Sequence, residues 1–348
     1  NTTYALISML HKWNSDTDGN SATVRIVLFD FKKAFDLIDH NILIQKLVWY
    51  EIPSNVVNWI IDFLLNRKQR VKLSQDCVSE WGLVPAGVPQ GTKLGPWLFL
   101  VMINDLNVPN HLMWKYVDDS TISETISKDE ISQIQSTVDE FVCKSRIEKF
   151  VLNERKCKEM RISFTKSEKD FLPVMINNVP LEVVPHAKIL GLNVSDNLKW
   201  NYHVNEIIKK SSKRLYFLTQ LKRSKVGSLE LVEFYKSCIR SLVEYACPVF
   251  HDSLPAYLSR DLENIQTRAM RIIYPAESYE DALSLAGLPS LLSRRQEITN
   301  KVFLNIVNDD THKLHPLLPP KNDTSFNLRK KSRFLNPRVL TNRFRSSF

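Results

Sequence analysis

The chain has 348 residues, 43% of them apolar, so it can bury a substantial core, and its length suggests about two or three subdomains. A surplus of 47 Lys+Arg over 38 Asp+Glu gives a net charge of +9, which suits a polyanionic partner better than an acidic role. No apolar run reaches membrane-spanning length and no signal peptide opens the chain; its five cysteines, with no CxxC spacing, support neither a disulfide framework nor a zinc site, so a reducing compartment is the default.

The basic surplus is concentrated. Ile207 to Leu229 holds seven basic residues and no acid, and Arg329 to Arg345 holds seven more with none. Uncompensated blocks of this kind point to phosphate contact more directly than net charge does.

In chain order, Thr2 is placed to cap a helix running to about Trp13, and the chain opens on Asn1 inside a helix-like pattern, so a fragment is expected. Asn14 to Gly19 lacks the first and last ligands of a calcium loop and reads as a polar turn. Val24 to Phe29 is a near-continuous apolar strand of the type buried on both faces, and it runs into Asp30. After a turn over Lys32 to Asp36, helices are expected from His40 to Tyr50 and from Ser54 to Leu65. The second carries an apolar stripe of Val56, Ile60, Phe63 and Leu64. Arg70 to Leu73 and Glu80 to Val84 predict a hairpin leading to a Pro/Gly-rich loop, Pro85 to Gly91. A buried helix follows from Leu94 to Asn104.

Trp114 to Ile122 reads as a hairpin whose tight turn carries Asp118 and Asp119. A helix from Lys128 to Phe150, a strand from Lys158 to Phe164 and a β-rich stretch from Phe171 to Asn193 come next. Beyond Trp200 the pattern changes to three amphipathic helices, the second carrying Leu231, Tyr235, Cys238, Ile239, Leu242 and Ala246. Helix continues to about Asn308, and a Pro-rich, basic and loosely held tail ends the chain.

Adjacent acids repel, and a fold that holds them close usually keeps a cation or proton between them. An Asp pair in a turn is by itself ordinary turn chemistry. A third acid, Asp30, at the end of a buried strand is harder to dismiss, because a carboxylate there loses its water. Hard cations take oxygen ligands, and no His cluster competes. Two metal ions held by shared carboxylates would clamp the attacking and leaving oxygens of a phosphoryl transfer. The loop Gly87-Val88-Pro89-Gln90-Gly91-Thr92 combines stiffening prolines with glycines that let backbone approach a ligand, and its residue order is not that of a Walker loop.

Three stretches, Phe29-Asp30-Phe31-Lys32-Lys33-Ala34-Phe35-Asp36, Gly87 to Pro96, and Tyr116-Val117-Asp118-Asp119, closely resemble successive motifs of the reverse transcriptases of non-LTR (LINE-type) retrotransposons. Leu152-Asn153-Glu154-Arg155-Lys156 and Leu190-Gly191-Leu192 extend the likeness, which fades in the helices beyond. The resemblance implies an α+β right-hand polymerase: an antiparallel palm sheet backed by helices with truncated fingers over residues 1–200, a helical thumb over 201–275, and a helical, basic extension over 276–348. It implies RNA-directed DNA synthesis with two Mg²⁺ ions (Mn²⁺ as a substitute) on Asp30, Asp118 and Asp119. Its partners would be an RNA template, a DNA primer or target, and dNTPs, with no membrane and a nuclear or cytoplasmic setting. Phe31, Phe35, Gln90 and Gly91 would bind nucleotide, with Phe35 excluding a ribose 2′-OH. Lys156 would stand near the leaving pyrophosphate. Leu190, Gly191 and Leu192 would grip the primer, and Lys209, Lys210, Lys213 and Arg214 would meet duplex phosphates.

Alternatives remain at this level. Phe35 also suits a core position, and Lys156 also suits a solvated one. Only about twenty residues precede the Asp30 strand, so the basic fingers that the family uses to hold the triphosphate are not in view. A catalytically incompetent remnant that binds RNA or RNA–DNA duplex is the competing reading. A nuclease is a weaker one, because it leaves the Pro-Gln-Gly loop unexplained.

Overall fold

A computed structural model describes residues 1–19, 22–108, 112–165, 170–322, 334–335 and 338–347. The fold is α+β and divides into two compact units, one of Val24–Arg161 with Ser167–Val184, the other of Asn1–Thr23, Ile162–Lys166 and Pro185–Phe348. The opening helix, α1 (Thr2–Asp16), belongs to the second unit; Asn1, not Thr2, caps it, accepting from Tyr4 N.

The first unit is built around β1 (Ala22–Phe29), whose residues are buried almost without interruption, as its apolar run predicts. Helices α2 (His40–Trp49) and α3 (Ser54–Leu64) follow, then a short exposed hairpin of β2 (Lys68–Gln69) and β3 (Gly82–Leu83), and helix α4 (Leu94–Asn104). The hairpin of β4 (Leu112–Tyr116) and β5 (Asp119–Ser127) comes next, then α5 (Ile134–Ile147), β6 (Lys158–Ser163) and the two-residue strands β7 (Met175–Ile176), β8 (Val179–Pro180) and β9 (Glu182–Val183). The main sheet has the order β4-β5-β1-β6-β9. β4 and β5 are antiparallel with Tyr116 opposite Asp119, whereas β6 and β9 meet in parallel through only two residue pairs.

Two helix expectations shift, one by a single residue and one by six. In α3 the buried stripe is Val57, Ile60 and Leu64, and Val56 is exposed, because the i, i+3, i+7 set starts one residue later. The helix expected from Lys128 begins only at Ile134. Glu124 accepts hydrogen bonds from Ser132 Oγ and Gln133 N, and Glu130 accepts from Ser127 N, which holds the lead-in as a polar turn.

The second unit adds the hairpin β10 (His186–Ile189) and β11 (Leu192–Ser195), then α6 (Asn201–Arg223), α7 (Ser228–Phe234), α8 (Ser241–Glu244), α9 (Ala256–Ile273), α10 (Tyr279–Ala286), α11 (Leu291–Asn308) and α12 (Asn342–Arg345). The predicted second amphipathic helix is interrupted: a π-helical stretch, Tyr235–Arg240, joins α7 to α8. Its i→i+5 bonding adds a residue to the turn, so Val243 rather than Leu242 faces inward. The end of the tail is tied down rather than loose. Asp18 accepts from Leu340 N, Thr341 N and Thr341 Oγ1 at 2.6–2.8 Å, and Arg343 donates to Thr17 O at 2.7 Å. The basic run Arg329-Lys330-Lys331 lies outside the described residues. Among the described residues no helix is long and apolar enough to cross a membrane.

Candidate active site

Asp30 leaves the buried end of β1 and is met by the segment that follows α5. Lys32 N donates to Val151 O, Asn153 N donates to Asp30 O at 2.8 Å, and Phe31 bridges Leu152 in antiparallel fashion. A turn then forms as Lys156 N and Cys157 N both donate to Asn153 O. These bonds bring Lys156 Nζ to 3.8 Å from Asp30 Oδ2, across 126 residues of sequence. The gap is close enough to attract and too wide to hydrogen-bond. Asp30 Oδ2 is itself buried with no hydrogen-bond partner, although 41% of the side chain is exposed. An orphaned anionic oxygen is costly to bury, and it marks the point where a cation or a protonated partner would be stabilising. Beside it, the Asp30 amide N donates to Cys157 Sγ at 3.4 Å, and burial pushes that thiol up to about 11.

β5 lies next to β1 in the sheet and begins at Asp119. The hairpin turn consists of Val117 and Asp118, so the two acids divide: Asp118 sits in the turn, and Asp119 is the first strand residue. Both are exposed. Val117 has φ +58°, a conformation for which glycine is the usual choice at the first position of a two-residue turn. A β-branched residue there carries strain of order ~1–3 kcal/mol, and Val117 offsets part of it by packing against the core. Among the described residues no group of three or more His, Cys, Asp or Glu side chains is assembled around one point. Taken singly, Asp30, Asp118 and Asp119 offer the carboxylate oxygen that a hard divalent cation takes, and Oδ2 of Asp30 has no hydrogen-bond partner.

The Pro-Gln-Gly loop is anchored on the turn after Asp30. Val88 N donates to Phe35 O, Gly87 N to Ile38 O, and His40 Nε2 to Gly87 O at 2.7 Å. Gly87 has φ +86°, and a Cβ there would lie 2.5 Å from Asp36 O, so the close approach itself demands glycine. Gln90 Nε2 donates to Asp36 Oδ1 at 3.0 Å. Gly91 has φ +79° with open space around it. Phe35 is half-buried and stacks on Phe99, centroids 4.3 Å apart and planes 17° off parallel. Phe31 is 7% exposed and packs against Phe141 and Phe150, which leaves its backbone as the part able to meet a ligand.

In the second unit Leu190 and Leu192 are buried at the β10–β11 turn, and Leu190 and Gly191 both have positive φ. Tyr245 OH donates to Leu190 O at 2.7 Å, and its ring lies where a Gly191 Cβ would stand, 2.9 Å from Cε1. Sequence reasoning missed Tyr245. Its signal was weak: an aromatic residue at the end of an amphipathic helix reads as core. On α6, Lys209, Lys210 and Lys213 are exposed and Lys209 pairs with Glu206, whereas Arg214 is half-buried and turns back to donate to Cys238 O.

Residues 6–194 match the family profile described as reverse transcriptase (RNA-dependent DNA polymerase). That is more than half of the 348 residues, and the chain belongs to the reverse transcriptase family. It is 25% identical over 263 residues to the probable RNA-directed DNA polymerase from transposon X-element of Drosophila melanogaster, covering 72% of this chain and 28% of that protein. It is equally similar, at 25% over 263 residues and the same two shares, to the RNA-directed DNA polymerase from mobile element jockey of Drosophila funebris. These relatives agree with the LINE-type pattern of the motifs, and the chain spans about 28% of their length. A second profile, the N-terminal part of alkylated DNA repair protein alkB homolog 8, matches residues 200–241. The apo telomerase of Candida Tropicalis is a faint structural likeness, with a TM-score of 0.44 at 11% identity over 89% of this chain and 56% of that one.

Proposed function

We propose that the chain carries the polymerase core of a retrotransposon RNA-directed DNA polymerase, with the sheet unit as palm and α6 to α9 as thumb. In the reaction a primer 3′-hydroxyl attacks the α-phosphate of a dNTP paired to an RNA template, and pyrophosphate leaves. The observation that carries the reading is the orphaned Oδ2 of Asp30 at the end of the buried central strand, with Lys156 Nζ 3.8 Å away.

Asp30, Asp118 and Asp119 are the residues that would hold Mg²⁺, and the bound ions would neutralise charge developing on the attacking and leaving oxygens. Lys156, which is 69% exposed, supplies a mobile cation for the leaving pyrophosphate. Phe35, fixed by Phe99, would fill the space beneath C2′ and exclude a ribose hydroxyl. Gln90 offers a donor and an acceptor to the incoming nucleotide or template, and Gly91 gives backbone access. The Leu190-Gly191-Leu192 turn, locked by Tyr245, would support the primer strand. Lys209, Lys210 and Lys213 would contact duplex phosphates, with salt-dependent affinity.

The test is primer extension on an RNA template with four dNTPs and Mg²⁺, comparing the chain with its Asp118→Ala/Asp119→Ala variant. Extension by the parent alone supports the reading. Tight duplex binding by both without extension by either would leave a nucleic-acid-binding remnant instead.

A further inference from the structure

α6 presents more than lysines to solvent. Lys209, Lys213, Tyr216, Gln220 and Arg223 recur at alternating four- and three-residue steps and so share one face of the helix. Phe217, four residues from Lys213, stands at the edge of that face; its ring and that of Tyr216 meet edge to face with centroids 5.7 Å apart and are 57% (Phe217) and 61% (Tyr216) exposed. Their neighbours Leu215 and Leu218 fill the core side, so the aromatic pair is not needed to hold the helix in place.

Two adjacent rings in water call for a partner that covers them. An apolar protein segment laid here would also bury Lys209, Lys210, Lys213 and Arg223, against which α6 carries a single acid, Glu206, paired with Lys209. A polyanion with flat apolar faces satisfies both demands. Stacking on the rings requires bases that are not already stacked and paired in a duplex.

We propose that Tyr216 and Phe217 form a stacking platform for unpaired bases of a single nucleic-acid strand, whose phosphates follow the α6 cations. Lys209 and Arg223 are about 21 Å apart along the axis at 1.5 Å per residue, so the platform stands midway along a basic track. The proposal rests on the nucleic-acid partnership of the reading above and not on catalysis.

The test is equilibrium binding of the full chain to three probes: a blunt RNA–DNA duplex, the duplex with a short single-stranded RNA overhang, and the same overhang made abasic. A stacked base is worth about 1–3 kcal/mol, so the base-bearing overhang should bind roughly 5- to 150-fold tighter than the abasic one. Tyr216→Ala/Phe217→Ala should erase that preference and leave blunt-duplex affinity unchanged, whereas Tyr216→Phe should keep it. Lys209→Ala/Lys213→Ala should weaken all three probes alike. A DNA overhang in place of RNA separates a general single-strand platform from one that needs the 2′-hydroxyl. Equal affinity of the parent for base-bearing and abasic overhangs, a preference that survives in the double-alanine variant, or no binding to any probe overturns the proposal. Loss of primer extension with the preference intact would sink the polymerase reading and leave the platform standing.

Discussion

Asp30 concentrates the account at the scale of single residues. Its Oδ2 is buried without a hydrogen-bond partner, with Lys156 Nζ 3.8 Å away, and a polymer selected for stability alone would not keep that arrangement. Asp30→Asn should therefore leave the melting temperature unchanged or raised while lowering extension by at least about a hundred-fold, the scale of losing one electrostatic stabiliser. A large fall in melting temperature with activity retained would make Asp30 a structural cap. Phe35→Val opens space next to Phe99, and the expected readout is incorporation of ribonucleotides together with a modest loss of stability from the broken stack. Unchanged sugar selectivity would return Phe35 to the core. Tyr245→Phe removes only the hydroxyl that donates to Leu190 O, and should cost about 1 kcal/mol in denaturant unfolding. Gly191→Ala should cost more, because positive φ and the Tyr245 ring both oppose a Cβ.

At the scale of elements, β1 and β6 are joined by a buried charge pair. Arg25 Nη2 lies 2.7 Å from Glu159 Oε1, and Arg161 and Val174 N also donate to that carboxylate. Burial works to raise the Glu159 carboxyl, but the hydrogen bonds of Arg161, Val174 and Arg25 outweigh it and hold it below its ordinary value of 4.5. The stabilisation is complete above that value and is lost as pH falls through the lower folded one. Urea midpoints should fall with acidification below pH ~4.5, and Glu159→Gln should flatten that part of the profile. Arg25→Met, which leaves Arg161 and Val174 N still donating to the carboxylate, should cost about 1.5–3 kcal/mol, the loss of a charged hydrogen bond. Much at this scale was legible in advance. The unbroken apolar run of β1, the helix from Leu94 to Asn104 and the Asp118 hairpin follow from periodicity and turn chemistry. The π-helical stretch at Tyr235–Arg240 was not legible, because no residue type specifies an extra residue in a turn. The Asp30–Lys156 approach was visible only as a motif resemblance, since it depends on backbone bonds from Asn153 to Asp30 that side-chain patterns do not record.

For the molecule as a whole, the net charge of +9 is distributed in blocks; in the block expected to meet phosphates, Lys209, Lys210 and Lys213 are exposed, whereas Arg214 and Lys222 are half-buried and donate to backbone carbonyls. The sequence reads the tail as loose, whereas Asp18 and Thr17 tie its last turn through bonds between residues more than three hundred positions apart, which local composition does not encode. Template-directed nucleotidyl transfer by the acids of the sheet unit is the proposed activity. Single-nucleotide addition tests it most directly, with a primer on RNA templates that differ only in the next base and each dNTP offered alone. The parent should add only the complementary nucleotide, and Asp30→Asn should add none. Addition regardless of the template base, or addition undiminished in Asp30→Asn, would contradict the account.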